Sequence, residues 1–233
     1  EARAIARERG GVVSFAAIGP RGREVTYEAD RLYSAASTVK AMLLVAELRR
    51  LEREQLPLDD GTAQMLRAMI TYSDNEAADA IYARSGDEGM FGVARDAGMK
   101  GFTAAGHWGN AQLTARDLAS FMWRLDELLD LPHGRYASKL LESITGPQRW
   151  GLPEVTPDDA RLRFKGGWVP TDDGQIVHQA GLVEVEGQRF PVAVLTDAQP
   201  SMGHGIETVE AVAWQLLRTD RRPARASRGG SGF

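Results

Sequence analysis

Ala35-Ala36-Ser37-Thr38-Val39-Lys40 runs directly into Ala41-Met42-Leu43-Leu44-Val45-Ala46, and the reading of the whole chain turns on this junction. Ahead of it the pattern alternates or breaks at glycine; beyond it, apolar residues recur at helical spacing for a long stretch. Ser37 and Lys40 stand three apart, so on a helix they are neighbours on one face. A serine hydroxyl is a weak nucleophile until an adjacent base takes its proton. A lysine kept neutral by burial or by a second cation can be that base. The same residues also describe an N-cap serine with a first-turn surface lysine, so the choice between the two rests on the rest of the chain.

Working outward toward the N-terminus, Glu24 to Ala29 reads as a strand returning through the turn Gly19-Pro20-Arg21-Gly22 from a first strand, Val12 to Ile18; residues 1–9 read as a short charged helix. In the other direction helices are expected at 38–53, 60–70, 75–85, 87–97, 114–130 and 134–144, with Asp59 or Asp60, Ser73 and Thr114 as N-caps. Gly146-Pro147 ends that series, and 147–160, with its three prolines, reads as loop. Strand character returns at 161–168, 175–185 and 189–196, separated by the turn signals Asp173-Gly174 and Glu186-Gly187, and a last helix spans 205–218. Strands at both ends around central helices predict an α+β fold: an antiparallel sheet built from N- and C-terminal strands with flanking helices, plus an inserted helical lobe. The expected organisation is one domain over 1–220, with a sheet lobe of 1–36 and 160–220 and a helical lobe of 37–159. Arg221 to Phe233 holds four arginines among Gly, Ser, Ala and Pro and reads as a disordered basic tail.

Composition narrows the function classes. The chain has 233 residues, 43% hydrophobic and 26% charged, as ordinary globular proteins do. A net charge of −4 leaves no basic field for nucleic acid, and no apolar stretch is long enough to span a membrane. The absence of cysteine excludes disulfides and thiolate metal sites and suits an exported protein. The chain starts at Glu1, as a mature or trimmed form would. No zinc-peptidase helix, phosphate loop or Gly-x-Ser-x-Gly elbow is present, so neither a metal nor a cofactor is expected.

Two further constellations carry chemistry. Tyr72-Ser73-Asp74-Asn75 puts a hydroxyl and an amide at a helix start, where Asp74 can bind backbone amides; Ser73-x-x-Glu76 is also a capping box. Phe164-Lys165-Gly166-Gly167-Trp168 sets a cation ahead of two glycines inside a strand, where glycine marks either a bulge or the close approach of a ligand or another backbone. Ser-x-x-Lys on the first long helix, Ser-Asp-Asn on a middle helix and Lys-x-Gly on a late strand form, in that order, the signature of penicillin-recognising serine enzymes. Over roughly residues 11–218 the chain resembles class A β-lactamases and the related penicillin-binding proteins.

The resemblance implies a role for each motif residue. Ser37 would attack a carbonyl and form an acyl-enzyme, Lys40 would be or assist the acylation base, and Ser73 would pass a proton to the leaving nitrogen. Asn75 would bond the substrate's side-chain amide and Lys165 would attract its carboxylate. The backbone N–H groups of Ser37 and of Trp168, which follows Gly167, would form the oxyanion hole. Two positions depart from the family pattern. Gly166 stands where the family has a carboxylate-binding hydroxyl, with Thr171 the nearest replacement. The family's loop glutamate, which activates the deacylating water, has no counterpart: Ala97 to Arg116 contains no Asp or Glu, and Gly106-His107-Trp108-Gly109-Asn110 occupies the place. His107 is the candidate substitute base. The expectation is therefore a monomeric serine acyl-transfer hydrolase acting on β-lactams or D-alanyl-peptide-like amides and esters, including peptidoglycan peptides, with slow β-lactam release. A non-catalytic penicillin- or peptidoglycan-binding sensor of the same fold is the alternative.

Overall fold

A computed structural model describes residues 1–220; the expected basic tail lies outside the described residues. In chain order the elements are α1 (Ala2–Glu8), β1 (Val12–Ile18), β2 (Glu24–Tyr27), β3 (Tyr33–Ser34), α2 (Lys40–Arg53), α3 (Asp60–Thr71), α4 (Asn75–Ala97), β4 (Gln112–Leu113), α5 (Ala115–Trp123), α6 (Leu125–Leu128), α7 (Gly134–Glu142), α8 (Leu152–Val155), β5 (Arg161–Thr171), β6 (Gly174–Val185), β7 (Gln188–Gln199) and α9 (Met202–Asp220). The five long strands form one antiparallel sheet in the order β2-β1-β7-β6-β5. The first strand therefore sits beside the last, with Val13 opposite Thr196 and Phe15 opposite Val194. Helices α2 to α7 enter between β3 and β5, as the α+β reading requires.

The strands follow from turn chemistry and burial. Glu186 and Gly187 both take positive φ, 51° and 72°, the two-residue hairpin geometry that matches strand twist. They join Val185 to its partner Gln188. At the other end the two-residue loop is Asp172-Asp173, one position earlier than expected, because Gly174 already pairs with Thr171. In β7 every residue from Phe190 to Thr196 is buried, as befits a strand covered on both faces; α5 and α9 both pack against it.

Helix α2 is the centre of the molecule. Lys40 through Leu48 is buried without a break, the mark of a helix hydrophobic all round and enclosed by others. Its buried Glu47 is held by Arg50, at 2.8 Å through two bonds, and by Arg84 of α4 at 3.3 Å. Removing either partner would leave a carboxylate buried and under-compensated, the costly way to break such a pair.

Two local expectations change and a third holds. The helix read over 114–130 breaks into α5 and α6 at Arg124. The 75–85 and 87–97 helices are two segments, as expected, labelled together α4 and separated by Gly86, whose non-helical φ of 59° and ψ of −172° only glycine tolerates well. Within the 147–160 loop a short helix, α8, begins with Pro153 in its first turn, where proline's missing N–H costs nothing.

Candidate active site

Ser37 does not cap a helix. It lies in a 3-10 turn, Ala36–Val39, that leads into α2, and it makes no side-chain cap bond. Ala36, just before it, has φ of 45°, a strained value for a residue with a Cβ and of the kind that clusters at functional sites. The turn is wedged against β5. A Cβ added at Gly167 would stand 2.6 Å from Ser37 N and 2.9 Å from Thr38 N, so glycine here lets one backbone touch another, one of the two expectations for this strand. The Ser37 amide consequently lies beside Gly167, the residue preceding Trp168. His178 of β6 holds the neighbouring strand in place: Nε2 lies 3.0 Å from Ser34 O, and Nδ1 accepts from Thr196 N at 3.1 Å. Burial pushes its pKa down to about 4, so it is a neutral strut.

The second motif folds differently from a capping box. Asp74, not Ser73, is the N-cap of α4 and accepts from Ala77 N at 2.7 Å. Ser73 takes φ of 57° and turns inward. Its carbonyl accepts from Lys40 Nζ at 2.5 Å, and its Oγ lies 3.4 Å from Lys40 Nζ and 3.1 Å from Lys165 Nζ. Asn75 Oδ1 accepts from Lys40 Nζ at 2.6 Å, and Lys165 Nζ also donates to Gly166 O at 2.8 Å. Side chains from α2, the α4 start and β5 thus meet at one hydroxyl.

Both lysines have no exposed surface. Burial, opposed by the negative charges of Asp74 and Asp79, lowers the Lys40 pKa to about 8; burial and then the charge of Lys40 lower that of Lys165 to about 7. Near neutral pH the pair gives up a proton readily. A neutral Lys40 has two hydrogens and one lone pair. The Ser73 carbonyl and Asn75 Oδ1 accept the hydrogens, which leaves the lone pair for a hydroxyl proton. Ser73 Oγ, between two amines, is placed to relay a proton between them.

The loop at 106–110 is the surprise. Trp108, 8% exposed, lays its ring over Lys40, with Nζ 4.8 Å from the centroid, a cation–π contact whenever the amine is protonated. Its Nε1 donates to Asp79 Oδ1 at 2.6 Å. That bond first, and His107 less, hold the Asp79 carboxyl below its ordinary pKa, against a burial penalty. His107 is fully engaged: Nδ1 accepts from Gly109 N and Nε2 faces Asp79 Oδ1, each at 3.0 Å. The Gly109 bond fixes Nε2 as the protonated nitrogen, so no ring lone pair remains to take a proton from water. Asp87 Oδ2 holds Gly106 N at 2.8 Å, so α4 anchors the loop on both sides of its kink. Asp79 and Trp108 escaped the sequence reading. The available signal was Asn75-x-x-x-Asp79, which puts an acid one turn beyond the motif on the same face.

Two positions near the third motif are already occupied. The Thr171 hydroxyl donates to Gly174 O at 3.2 Å and closes its own hairpin. Gly166 is packed rather than open: a Cβ there would lie 3.2 Å from Trp150 Cζ2. Among the described residues no three His, Cys, Asp or Glu side chains gather as a metal site, and no helix is long and apolar enough to cross a membrane.

The sequence pattern described as the beta-lactamase enzyme family matches residues 62–219. That span includes the second and third motifs; Ser37 and Lys40 precede it. No curated protein sequence matches the chain. Among solved structures, a β-lactamase from Sphaerobacter thermophilus superimposes with a TM-score of 0.83 at 20% identity, over 94% of this chain and 95% of that one. A class A β-lactamase from Mycobacterium abscessus gives 0.77 at 21%, over 94% and 97%. A mutant of PBP-A, in an acyl-enzyme complex with penicillin G, gives 0.77 at 20%, over 94% and 93%. At these identities the likeness is one of fold. The family match covers more than half of the chain and two of the three motifs that converge on the Ser73 hydroxyl; the chain belongs to the β-lactamase enzyme family and is a serine hydrolase of that type.

Proposed function

We propose that the protein is a serine acyl-transfer hydrolase that takes acyl groups from β-lactams or D-alanyl-peptide-like amides and esters onto Ser37 and releases them slowly. The observation that carries this reading is the meeting of Lys40, Lys165 and Asn75 around Ser73, with Ser37 one helical turn before Lys40. In acylation the Ser37 Oγ–carbon bond forms as its proton passes to Lys40. The leaving nitrogen then takes a proton relayed through Ser73, with Lys165 holding that hydroxyl and Asn75 orienting both lysine and substrate. The N–H groups of Ser37, which lies against Gly167, and of Trp168, the next residue, receive the developing oxyanion in this reading, where each donor is worth about 3–4 kcal/mol.

Slow release rests on what surrounds Lys40 on its other side. Hydrolysis of the ester needs a base for water, commonly worth about 10²- to 10⁴-fold. The loop from Ala97 to Arg116 supplies no carboxylate, the indole of Trp108 covers Lys40, and His107 has spent both nitrogens. That same observation favours a second reading, a sensor that captures its ligand and keeps it. Peptidoglycan peptides as substrates would place the protein outside the cytoplasmic membrane.

The deciding experiment is incubation with benzylpenicillin followed by intact mass, alongside burst kinetics on a chromogenic cephalosporin. The expected result is a burst of about one equivalent and an adduct on Ser37 that persists for minutes. Linear turnover with no adduct would remove slow release from the reading, a permanent adduct would establish the sensor, and no reaction at all would discard the penicillin-type substrate class.

A further inference from the structure

The Ser73 hydroxyl marks where a leaving group must go, and Lys165 Nζ is bonded to it. Whatever the substrate carries beyond its leaving atom therefore lies along Gly166 and the side chains over that part of β5. Those side chains are aromatic. The Trp150 ring fills the space where a Gly166 Cβ would stand, 3.2 Å from Cζ2, and Trp150 and Trp168 pack edge to face with centroids 6.1 Å apart. Gln179, opposite Gly166, is buried with both ends of its amide engaged, by Leu152 N and Trp150 O. The unpartnered donor of that segment, Trp150 Nε1, is neutral and buried.

Charge is missing as well. From Gly166 to Gln188 there is no Lys or Arg, while Asp172 and Asp173 stand at the tip of the same hairpin. Arg149, next to Trp150, turns away over the Phe164 ring at 5.9 Å. Among the described residues Lys165 is the single cation in line, but it has no exposed surface, both of its acceptors lie within the protein, and burial leaves it only partly protonated near pH 7. A carboxylate brought against two indoles would lose its water and gain neither a full charge partner nor a side-chain hydroxyl in return.

Resting on the Ser37 reading above, we infer that this site selects acyl donors whose leaving side is uncharged, such as esters, thioesters or internal amides, over donors that end in a carboxylate there. The aromatic pair is the surface that receives the neutral leaving group. In the reaction of a thioester the Ser37 Oγ–carbon bond forms and the carbon–sulfur bond breaks. The thiolate leaves with the proton that Ser37 gave up, relayed through Lys40 and Ser73.

The test uses the full chain and two thioesters of one acyl group, phenylacetylglycine. One has thioglycolate as the leaving group, and the other the methyl ester of thioglycolate. Adduct formation on Ser37 is timed by intact mass and corrected for each donor's reactivity toward hydroxide. The uncharged donor is expected to acylate at least about tenfold faster, a difference of about 1.4 kcal/mol. In Trp168→Arg, which adds a cation to the aromatic pair at a partly exposed position, the gap is expected to shrink at least about threefold. A carboxylate donor that reacts as fast or faster in the native protein overturns this inference alone. An unchanged gap in a folded Trp168→Arg protein overturns the aromatic pair as its cause. If neither donor labels Ser37 and an alkyl fluorophosphonate also fails to, the Ser37 reading falls and this inference with it.

Discussion

The two sides of Lys40 are built from opposite materials. Toward α4 and β5 its amine meets a carbonyl, an amide oxygen and a hydroxyl within 3.4 Å, and a second amine lies just beyond that hydroxyl. Toward the 106–110 loop it meets the face of an indole. The first side can accept, hold and pass on a proton; the second is an indole face, and the carboxylate beside it, Asp79, is tied to Trp108 and His107. In the proposed reaction, forming an acyl-enzyme uses only the first side and hydrolysing one needs both. The proposed slow release follows from that difference.

The sharpest way to break that comparison is Ser37→Ala. Covalent labelling by penicillin or thioester should vanish, while the melting temperature stays within a few degrees because the hydroxyl makes no cap bond. Labelling that survives would move the nucleophile elsewhere. Lys40→Met comes next. Acylation should slow by about 10²- to 10⁴-fold, the usual worth of a positioned general base. The native pH profile should rise from pH 6 and level off above about 8, the pKa of Lys40, since only the neutral amine accepts a proton. The mutant should lose that limb, and a profile that keeps it would transfer the role to Lys165.

Trp108→Glu attacks the other side. A carboxylate in place of the indole beside Lys40 should shorten the adduct's lifetime by about tenfold or more, within the range of a general base, while its charge raises the Lys40 pKa and shifts the acylation profile to higher pH. The check is the deacylation rate after removal of free ligand. A lifetime that does not move would mean that release is limited elsewhere. The smallest effect is expected from His107→Ala. Acylation and release should both stay within about twofold, because neither ring nitrogen is available to water, and the melting temperature should fall by a few degrees as Asp79 and Gly109 lose a partner. A large loss of turnover would make His107 the base after all.

The fold was legible because its turn and strand signals are local. Glu186-Gly187 announces a tight hairpin, Gly86 divides a long helical pattern, and alternation in Val12 to Ile18 needs no partner to be seen. Gly167 was legible too, as glycine in a strand interior that something must approach closely. What escaped depends on tertiary placement. Ser73 has the composition of an N-cap, but its positive φ is imposed by packing between two lysines and hands the cap to Asp74. Asp79 lies on α4, outside the loop in which a carboxylate was sought, and reaches that loop only through the fold. Thr171 offered a hydroxyl at a suitable distance along the chain, and the hairpin it closes consumed it. The break at Arg124 has no glycine or proline to signal it.

The pairing of β1 with β7 has a consequence for how the molecule comes into being. The first strand made is hydrogen-bonded to the last, and β2 reaches the rest of the sheet only through β1. During synthesis the opening hairpin must wait for nearly the whole chain before it gains a partner, whereas α2, α3 and α4 are complete and in contact much earlier. Lys165 also arrives late, on β5, after the Ser37 turn and the Ser73 corner have been made. A nascent chain therefore exposes the buried face of α2 and an unpaired β1 edge together until the final hairpin emerges, and chain shortening from the C-terminal end would leave the nucleophile without the strand against which it is wedged.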